Sequence, residues 1–210
     1  MSLPQLQHRY TLEEYLALER LSEERHQYLD GQIYATAGES PTHSDICTNL
    51  VISIGSQLRG KPCRVWTKDA KVLSGPLPLN LRSKKELFSY PDLVVVCGEP
   101  QFLDEHHDVL ANPTVIIEVL SPTTEAFDRG EKFWRYRNFN PSPSDYLVVS
   151  QTMPFVEHFT RQKGQQWVIA ASVAELSGWL LIVSIDCTLQ LAEIYDRVSF
   201  PEPGGGPDEE

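Results

Sequence analysis

Two short apolar runs near the middle of the chain constrain the fold more than any other feature of the sequence. Residues 91–97 read PDLVVVC and residues 114–120 read TVIIEVL, and a proline lies at or just before the start of each run. β-Branched residues favour extended backbone, and runs that stay apolar at successive positions are typical of strands buried on both faces. The sequence therefore predicts two neighbouring strands inside one core.

The segments before these runs predict a mixture of helices and strands. Thr11-Leu-Glu-Glu14 has the form of a capping box, Asp30-Gly31 is typical of a two-residue hairpin turn, and apolar residues recur every four positions after Ser40. The predicted elements are a helix from Thr11 to about Arg20, strands near 25–29 and 32–36, a helix over 40–59, and strands near 63–67 and 69–73. A loop is expected over the basic, proline-containing stretch 74–90.

The C-terminal half continues the alternation of helices and strands. The predicted elements are a helix from Thr124 to about Asn138, strands at DYLVVSQ, PFVEHFTR and QWVIAAS, and a short helix or strand at LQLAEIYDRV. This order predicts a single α+β or α/β domain over residues 1–200, built around a mixed sheet. The last residues, 201–210, predict a disordered acidic tail.

Composition limits the class of protein. Of the 210 residues, 41% are hydrophobic and 22% are charged, as in ordinary globular domains. No apolar stretch approaches the ~20 residues that cross a bilayer, the N-terminus lacks a signal-peptide pattern, and no glycine-rich nucleotide-binding motif occurs. The cysteines, which are scattered without metal-ligand spacing, predict unbonded thiols in a reducing cytoplasm: Cys47, Cys63, Cys97 and Cys187.

Glu118 is the strongest single indication of chemistry. It lies inside the second apolar run, in a strand predicted to be buried on both faces. Burying a carboxylate costs several kcal/mol unless it is paired or coordinated. Two interpretations remain open at this point: a buried salt bridge to a lysine or arginine, and a metal ligand or catalytic acid.

Asp92 gives the second indication, because it opens the other buried strand directly after Pro91. By itself it could simply bond the local backbone at a strand start. Side-chain alternation, however, places Asp92 with Val94 on one face of its strand, and Glu118 with Leu120 on one face of the other. If the strands are neighbours, two carboxylates converge, and paired hard oxygen ligands suit Mg²⁺ or Mn²⁺.

These residues resemble a known group of nucleases. The order Pro91-Asp92 followed by Glu118 in the next strand is similar to the PD-(D/E)XK nuclease superfamily. The fuller pattern PD…EVLSP-T…DR-x-K-x-x-Y resembles the Uma-type family of predicted restriction endonucleases, over roughly residues 10–200. The resemblance implies a restriction-endonuclease-like core, a mixed sheet flanked by helices, and Mg²⁺-dependent hydrolysis of DNA phosphodiesters.

The resemblance also implies roles for particular residues. Asp92, Glu118 and the backbone carbonyl of Val119 would hold the metal. Leu120 occupies the position where the superfamily normally has lysine, and Lys132 from the following helix would replace that lysine as a catalytic residue. The alternative for Lys132 is a solvated helix face, since its helical projection groups it with other polar side chains.

Three further positions are secondary candidates or departures from the family pattern. His43, at the start of the long helix, is a candidate for supporting the site or contacting DNA, although a histidine there often only caps the helix. Asp128 shares the predicted face of Lys132. Gln27 stands where the family often has glutamate, so a site charge is lost if that acid takes part. The His106-His107 pair lacks ligand spacing and predicts a solvated loop.

The charge distribution bears on the substrate. Eighteen basic and 29 acidic residues give a formal net charge of −11, which argues against nucleic acid binding. Residues 59–85 nevertheless hold eight of the basic residues against one acid, and 129–137 hold four more. These segments are either solvated surface or phosphate contacts, and the residues expected to contact DNA are Lys68, Lys71, Arg129 and Arg135.

The sequence therefore predicts a metal-dependent endodeoxyribonuclease, acting on double-stranded DNA as a homodimer because cutting both strands calls for two sites. The main alternative is a nuclease-fold binding or regulatory module that has lost turnover, favoured by Leu120 and the net negative charge. A more distant alternative is an inhibitor-like protein whose acidic surface binds a basic partner.

Overall fold

The computed structural model describes residues 8–36, 38–74 and 86–200, which form three β-sheets with helices packed on them. The strands are β1 (His26–Leu29), β2 (Gln32–Ala35), β3 (Cys63–Thr67), β4 (Lys71–Ser74), β5 (Leu87–Ser89), β6 (Leu93–Cys97), β7 (Val109–Leu110), β8 (Val115–Leu120), β9 (Asp145–Ser150), β10 (Val156–Arg161), β11 (Trp167–Val173), β12 (Trp179–Ile182) and β13 (Cys187–Gln190). The helices are α1 (Leu12–Glu19), α2 (Pro41–Gln57), α3 (Glu125–Phe127), α4 (Phe133–Phe139) and α5 (Leu191–Ile194), and a π-helical segment, Asp128–Lys132, joins α3 to α4.

The largest sheet has six strands in the order β11-β10-β9-β8-β6-β3. β8 runs parallel to β9, and the other neighbours pair antiparallel, so the sheet is mixed. A five-stranded sheet has the order β2-β1-β5-β4-β7, and β12 pairs with β13 alone. The predicted mixed α+β class, with an additional N-terminal hairpin and C-terminal strands, is confirmed.

The two apolar runs form β6 and β8, which pair antiparallel at the centre of the largest sheet. On one face Val95 and Ile117 pack in a core with α2, whereas on the other face Val94 and Ile116 pack with Tyr136 of α4. Successive side chains of a strand point to opposite faces. Both faces are therefore buried, which explains why these segments are apolar at nearly every position.

The local signals near the N-terminus also act as predicted. Thr11 and Glu14 form a reciprocal capping box at the start of α1. Asp30 and Gly31 both have positive φ, 51° and 89°, which fits the tight turn between β1 and β2. The helix predicted over 40–59 is present as α2, and the structure adds a cap: the Oγ of Ser40 accepts a hydrogen bond of 3.1 Å from the backbone N–H of His43.

The prediction that all four cysteines are unbonded is wrong for two of them. Cys63 and Cys97 form a disulfide, because the antiparallel register of β3 and β6 sets them directly opposite each other. They are 34 positions apart in the sequence, and linear spacing does not reveal such cross-strand neighbours. Cys47 and Cys187 carry free thiols.

Three short strands are absent from the sequence prediction. β5 lies within the stretch expected to be a loop, β7 lies in the polar linker, and β12 follows an unassigned segment. Strands this short depend on their partners rather than on a local pattern; β5, for example, pairs with both β1 and β4. The expectations for residues 75–85 and for the tail at 201–210 fall outside the described residues. No helix in the described ranges is long and apolar enough to pass through a bilayer.

The cap at Ser40 gives a first prediction. Ser40→Ala removes the side-chain acceptor that satisfies the first turn of α2, so the free energy of unfolding should fall by about 1 kcal/mol in urea denaturation. Ser56→Ala, near the other end of the same helix, is the matched control and should change stability less. Equal losses in the two variants would contradict a capping role for Ser40.

Candidate active site

A cavity of about 650 Å³ opens between the two larger sheets and the start of α2. Asp92, Glu118 and Lys132 all line this cavity, together with His43 and Asp128. Its remaining lining residues come from the β1–β2 hairpin, the end of β5, the segment before α2 and the turn after β8. The residues singled out by sequence thus lie together around one cavity.

Asp92 directly precedes β6, and the register of that strand sets it beside Glu118. Leu93 pairs with Ile117 in antiparallel fashion, so the next positions outward are Asp92 and Glu118. Asp92 Oδ2 accepts a hydrogen bond of 2.7 Å from the backbone N–H of Val119. This contact fixes the carboxylate against β8, which is part of the simple strand-start role that the sequence left open.

Glu118 is 2% exposed and contacts a buried cation. Its Oε2 lies 2.8 Å from Lys132 Nζ, and the same ammonium lies 3.3 Å from Asp128 Oδ1. The other oxygen, Oε1, is buried without a hydrogen-bond partner in the described part of the chain. The salt-bridge interpretation is thus present in the structure, but it satisfies only half of the carboxylate.

Electrostatics at Glu118 disfavour its charged form. Burial raises the pKa of the Glu118 carboxyl well above its ordinary value, and the negative charges of Asp128 and Asp92 add to that rise. The ammonium of Lys132 opposes it. An additional positive charge near the unpaired oxygen would therefore stabilise the ionised carboxylate.

The π-helical segment explains how Lys132 reaches the carboxylates. The backbone is π-helical from Asp128 to Lys132, and both of these residues are buried on the side that faces β8. Tyr146 of β9 donates a hydrogen bond of 2.9 Å to the carbonyl of Asp128 and holds the segment against the sheet. A π-helical turn often occurs at a functional site. The alternative of a solvated face for Lys132 does not agree with its 3% exposure.

His43 approaches the same place from α2. Its Nε2 lies 3.1 Å from the Val119 carbonyl oxygen and 3.4 Å from Asp92 Oδ2. Burial lowers the pKa of His43, but the hydrogen bond and charge of Asp92 outweigh burial and leave the pKa above its usual value. Because Nε2 of His43 faces two acceptor oxygens, it carries a proton. A metal cation bound by this nitrogen, the Val119 carbonyl oxygen and Asp92 Oδ2 could take the place of that proton.

Sequence reasoning missed two residues around His43. Cys47 Sγ lies 3.6 Å from His43 Nδ1, and Glu39 Oε2 lies 3.5 Å from the same nitrogen. His43, Cys47 and Asp92 offer ligand atoms within 4.8 Å of one another. The spacing i, i+4 on a helix places His43 and Cys47 on one face, and this signal could have found the pair.

In the described residues the group of side chains whose ligand atoms lie close enough together to hold a metal ion is His43, Cys47 and Asp92, and Glu118 is not part of it. The Val119 carbonyl contacts His43, and the Oε1 atom of Glu118 has no hydrogen-bond partner among the described residues. Oxygen donors suit Mg²⁺ or Mn²⁺, whereas added imidazole or thiol donors favour transition metals. Gln27 also lines the cavity, as an uncharged side chain.

The four residues expected to contact DNA are less accessible than the sequence suggests. Lys71 and Arg135 are each 3% exposed, so they are not surface phosphate contacts and this expectation is wrong for both. Lys71 faces Asp108, and Arg135 binds Asp30 and Glu131.

The other two expected contacts lie nearer the surface. Arg129 pairs with Glu125 and Glu157, and Lys68 pairs with Glu39 at the cavity rim. The side chain of Lys68 is 42% exposed. It is therefore the basic residue of the four that is best placed to meet a substrate.

Comparison with known proteins identifies the family. The model of the Uma2 family, described as "Putative restriction endonuclease", matches residues 12–191. The chain belongs to the Uma2 family. It is 34% identical to the Synechocystis sp. protein slr1290 over 188 residues, 90% of this chain and 92% of that protein. It is 28% identical to sll1609 of the same organism over 165 residues, 79% of this chain and 88% of that protein.

A solved structure shows the same fold. The crystal structure of a protein from Anabaena variabilis, titled a putative nuclease belonging to DUF820, aligns with a TM-score of 0.69 and 17% identity. The alignment covers 90% of this Uma2 chain and 99% of that chain. The predicted family and fold are thus confirmed, and the family description supports the nuclease class.

The buried ion pair gives a second prediction. Lys132→Met keeps the hydrocarbon length but leaves Glu118 and Asp128 buried without their cation, so the Uma2 protein should lose about 3–5 kcal/mol of stability in urea denaturation. Lys163→Met, at an exposed hairpin turn, is the control and should have little effect. A loss below about 1 kcal/mol for Lys132→Met, the range of exposed pairs, would contradict the buried pairing.

Proposed function

We propose that this Uma2 protein is a divalent-metal-dependent endonuclease that hydrolyses phosphodiester bonds of DNA at the cavity formed by Asp92, Glu118 and Lys132. One observation carries the proposal: the buried, unpaired Oε1 of Glu118 beside a second carboxylate and a lysine. An unpartnered buried carboxylate oxygen is costly in a purely structural ion pair. A bound cation removes that cost.

Four groups of this chain would hold the ion: the carboxylates of Asp92 and Glu118, the carbonyl of Val119 and the imidazole of His43. When bound, Mg²⁺ or Mn²⁺ lowers the pKa of a coordinated water and neutralises charge on the scissile phosphate. The His43 nitrogen argues for Mn²⁺ as the better fit, because imidazole is a poor ligand for Mg²⁺. Asp92 is oriented for this role by the Val119 N–H.

Lys132 would act on the substrate rather than on the fold alone. Its ammonium lies against Glu118 at the cavity wall, where it can donate to a phosphate oxygen or orient the attacking water. Asp128, 3.3 Å from the same nitrogen, keeps the lysine charged and directed at the site. Lys132 thereby takes the role that Leu120 cannot perform at the usual superfamily position.

The rival function is a nuclease-fold binding module without turnover. The ion pair between Lys132 and Glu118 favours it, because a lysine engaged by two carboxylates is less free to act on a water or a phosphate. The paired state of the predicted DNA-contacting side chains points the same way. Both functions share the cation site, so they separate on turnover rather than on metal binding.

A third prediction addresses the metal and the reaction together. Millimolar Mn²⁺ should raise the thermal unfolding midpoint of the wild-type protein, since a ligand that binds only the folded state stabilises it. Glu118→Gln and Asp92→Asn, which keep the side-chain shape, should abolish that rise, and should also abolish nicking of supercoiled plasmid. Both readouts are measured at matched ionic strength.

The control for that experiment is Glu125→Gln, which removes a half-exposed carboxylate from α3 next to the site. It should keep the metal response and the nicking. A metal response without any nicking by wild type would favour the binding module. Absence of a response to Mg²⁺ or Mn²⁺ in wild type would contradict the cation site itself.

We further propose that the enzyme acts on duplex DNA as a homodimer through the outer face of β12. Trp179 and Leu181 alternate on this strand with the buried Leu180 and Ile182, and they are 63% and 41% exposed. Adjacent to them, Val183 is 77% exposed. A second copy fits as the occupant, because two sites related by a twofold axis allow both strands to be cut.

The dimer gives a fourth prediction. Light scattering after size exclusion should give a dimeric mass for wild type and a monomeric mass for Trp179→Glu, because a buried charge in an apolar interface is costly. Ile52→Glu is a closely matched control, since Ile52 is also 63% exposed but lies on α2. A monomeric wild type, or equal behaviour of the two variants, would exclude this interface.

A further inference from the structure

A second cavity, of about 810 Å³, shares the wall residue Tyr90 with the candidate active site. It lies between the edge strand β3, the start of β4, α1 and the linker that follows β6. None of the proposed metal ligands lines it. Its lining residues are Glu19, Arg20, Val65, Trp66, Thr67, Asp69, Ala70, Lys71, Tyr90, Phe102, His107, Asp108 and Leu110.

Aromatic rings form one wall of this cavity. Trp66 and Phe102 lie nearly parallel, with 13° between their planes and 6.3 Å between their centroids. The His107 ring follows, 4.9 Å from Phe102, so the polar linker that the sequence predicts to be solvated carries part of this wall. We call these three side chains the aromatic wall. Trp66 and Phe102 are partly exposed and His107 is exposed, and all three line the cavity, where aromatic side chains can pack against a planar ring.

Two of the three side chains of the aromatic wall are held by strand pairing, and His107 lies in the exposed linker before β7. Trp66 lies in β3 and pairs with Val94 of β6, next to the central strand of the largest sheet. Phe102 forms a β-bridge with Leu110 of β7. The cavity is therefore formed before any ligand arrives, and the entropy cost of binding is reduced.

A buried lysine lines the same cavity. Lys71 is 3% exposed, and its Nζ lies 5.6 Å from the Tyr15 ring centroid and 5.8 Å from the Tyr90 ring centroid, as in cation–π contacts. Within the described residues its ion-pair partner is Asp108, at 3.5 Å. An ammonium has three N–H donors. An acceptor atom of a ligand in the cavity could receive a hydrogen bond from one of them.

The acidic residues of the cavity already have partners. Arg20 holds Asp108 with two hydrogen bonds of 2.9 Å, and Arg25 pairs with Asp69. Glu19 accepts hydrogen bonds from the backbone of His26 and from the Tyr90 hydroxyl. A free phosphate finds few open cations here, and an organic cation finds few open carboxylates. The cavity suits a neutral, flat ring with acceptor atoms at its edge.

We propose that this second cavity is a nucleobase-binding subsite. The base stacks on the aromatic wall, and a carbonyl oxygen or ring nitrogen of the base accepts a hydrogen bond from Lys71. Because Tyr90 borders both cavities, a strand whose phosphate lies at Asp92 and Glu118 can place a nearby base there. In this form the inference rests on the proposed function, and it requires that the duplex open locally so that one base can enter the subsite.

The test measures binding without cleavage, in the presence of EDTA. Fluorescence anisotropy compares a short labelled single strand, the same strand with one abasic position, and its duplex. Trp66→Ala should weaken single-strand binding by about tenfold, which is the scale of one lost base stack. Trp66→Phe, which keeps a stacking ring, should bind nearly as wild type. Duplex binding should change little in either variant.

Two lysine substitutions distinguish contacts to the base from contacts to the phosphates. Lys71→Met should weaken single-strand binding and leave its salt dependence unchanged. Lys68→Met, at the exposed rim of the first cavity, should reduce the salt dependence, as expected for a lost phosphate contact. Thermal unfolding of each variant reports whether it remains folded.

The remaining outcomes show whether the bound base belongs to a DNA strand or to a free nucleotide. They also show which of the two proposals fails, the base subsite or the endonuclease. If nucleoside monophosphates quench the tryptophan fluorescence of wild type but not of Lys71→Met, which keeps Trp66, while the two proteins bind the single strand equally, the subsite takes free nucleotides and not a base of the bound strand. If Trp66→Ala and Lys71→Met leave strand and nucleotide binding unchanged, the subsite is overturned, whatever the plasmid-nicking result. If base binding holds but wild type nicks nothing, only the endonuclease fails.

Discussion

The contact between Glu118 and Lys132 is the interaction on which the rest of the site depends. It joins the central strand β8 to the π-helical segment, and it brings the carboxylate of Asp128 to the same ammonium. A solvent-exposed ion pair contributes little to stability. Here both side chains are 3% exposed, so removing either one would leave an unpaired buried charge and strongly destabilise the fold. The pair therefore fixes the helix that follows β8 against the sheet. The other oxygen of Glu118 is buried and has no hydrogen-bond partner among the residues that the structure describes.

Much of the fold could be predicted because its signals are local. The apolar runs of β6 and β8, the Asp30-Gly31 turn and the four-residue repeat of α2 each act within a few residues, and the structure confirms all of them. What the sequence did not reveal depends on partners distant in the chain. Cys63 meets Cys97 only because β3 pairs with β6 in that register, and β5 forms because two other strands flank it. A register is set by the whole sheet.

The same distinction between local signals and distant partners explains which residues of the candidate site could be predicted from the sequence. A glutamate in a run that is apolar on both faces already indicates an unusual environment, so Glu118 and its partner Asp92 could be found from residue type and alternation. The π-helical turn could not, since a regular helix was the natural reading of Asp128–Lys132, and it is this turn that buries Lys132 beside Glu118. Arg135 and Lys71 show the reverse error. Basic clusters in a sequence suggest a phosphate-binding surface, yet the fold buries both side chains and gives them carboxylate partners.

The pairing of basic side chains with carboxylates limits how this chain, whose formal net charge is −11, can bind a nucleic acid. When arginines and lysines are matched by carboxylates of the same molecule, they contribute little counterion release, and phosphate contacts alone give weak binding. Affinity must then come from groups that do not depend on net charge. Under the two proposals these groups are the carboxylates of Asp92 and Glu118, which would hold a cation near the scissile phosphate, and the rings of Trp66 and Phe102, on which a base would stack. A paired base cannot reach the aromatic wall until the strand opens, so an acidic protein that binds duplex DNA in this way would depend on local opening of the duplex.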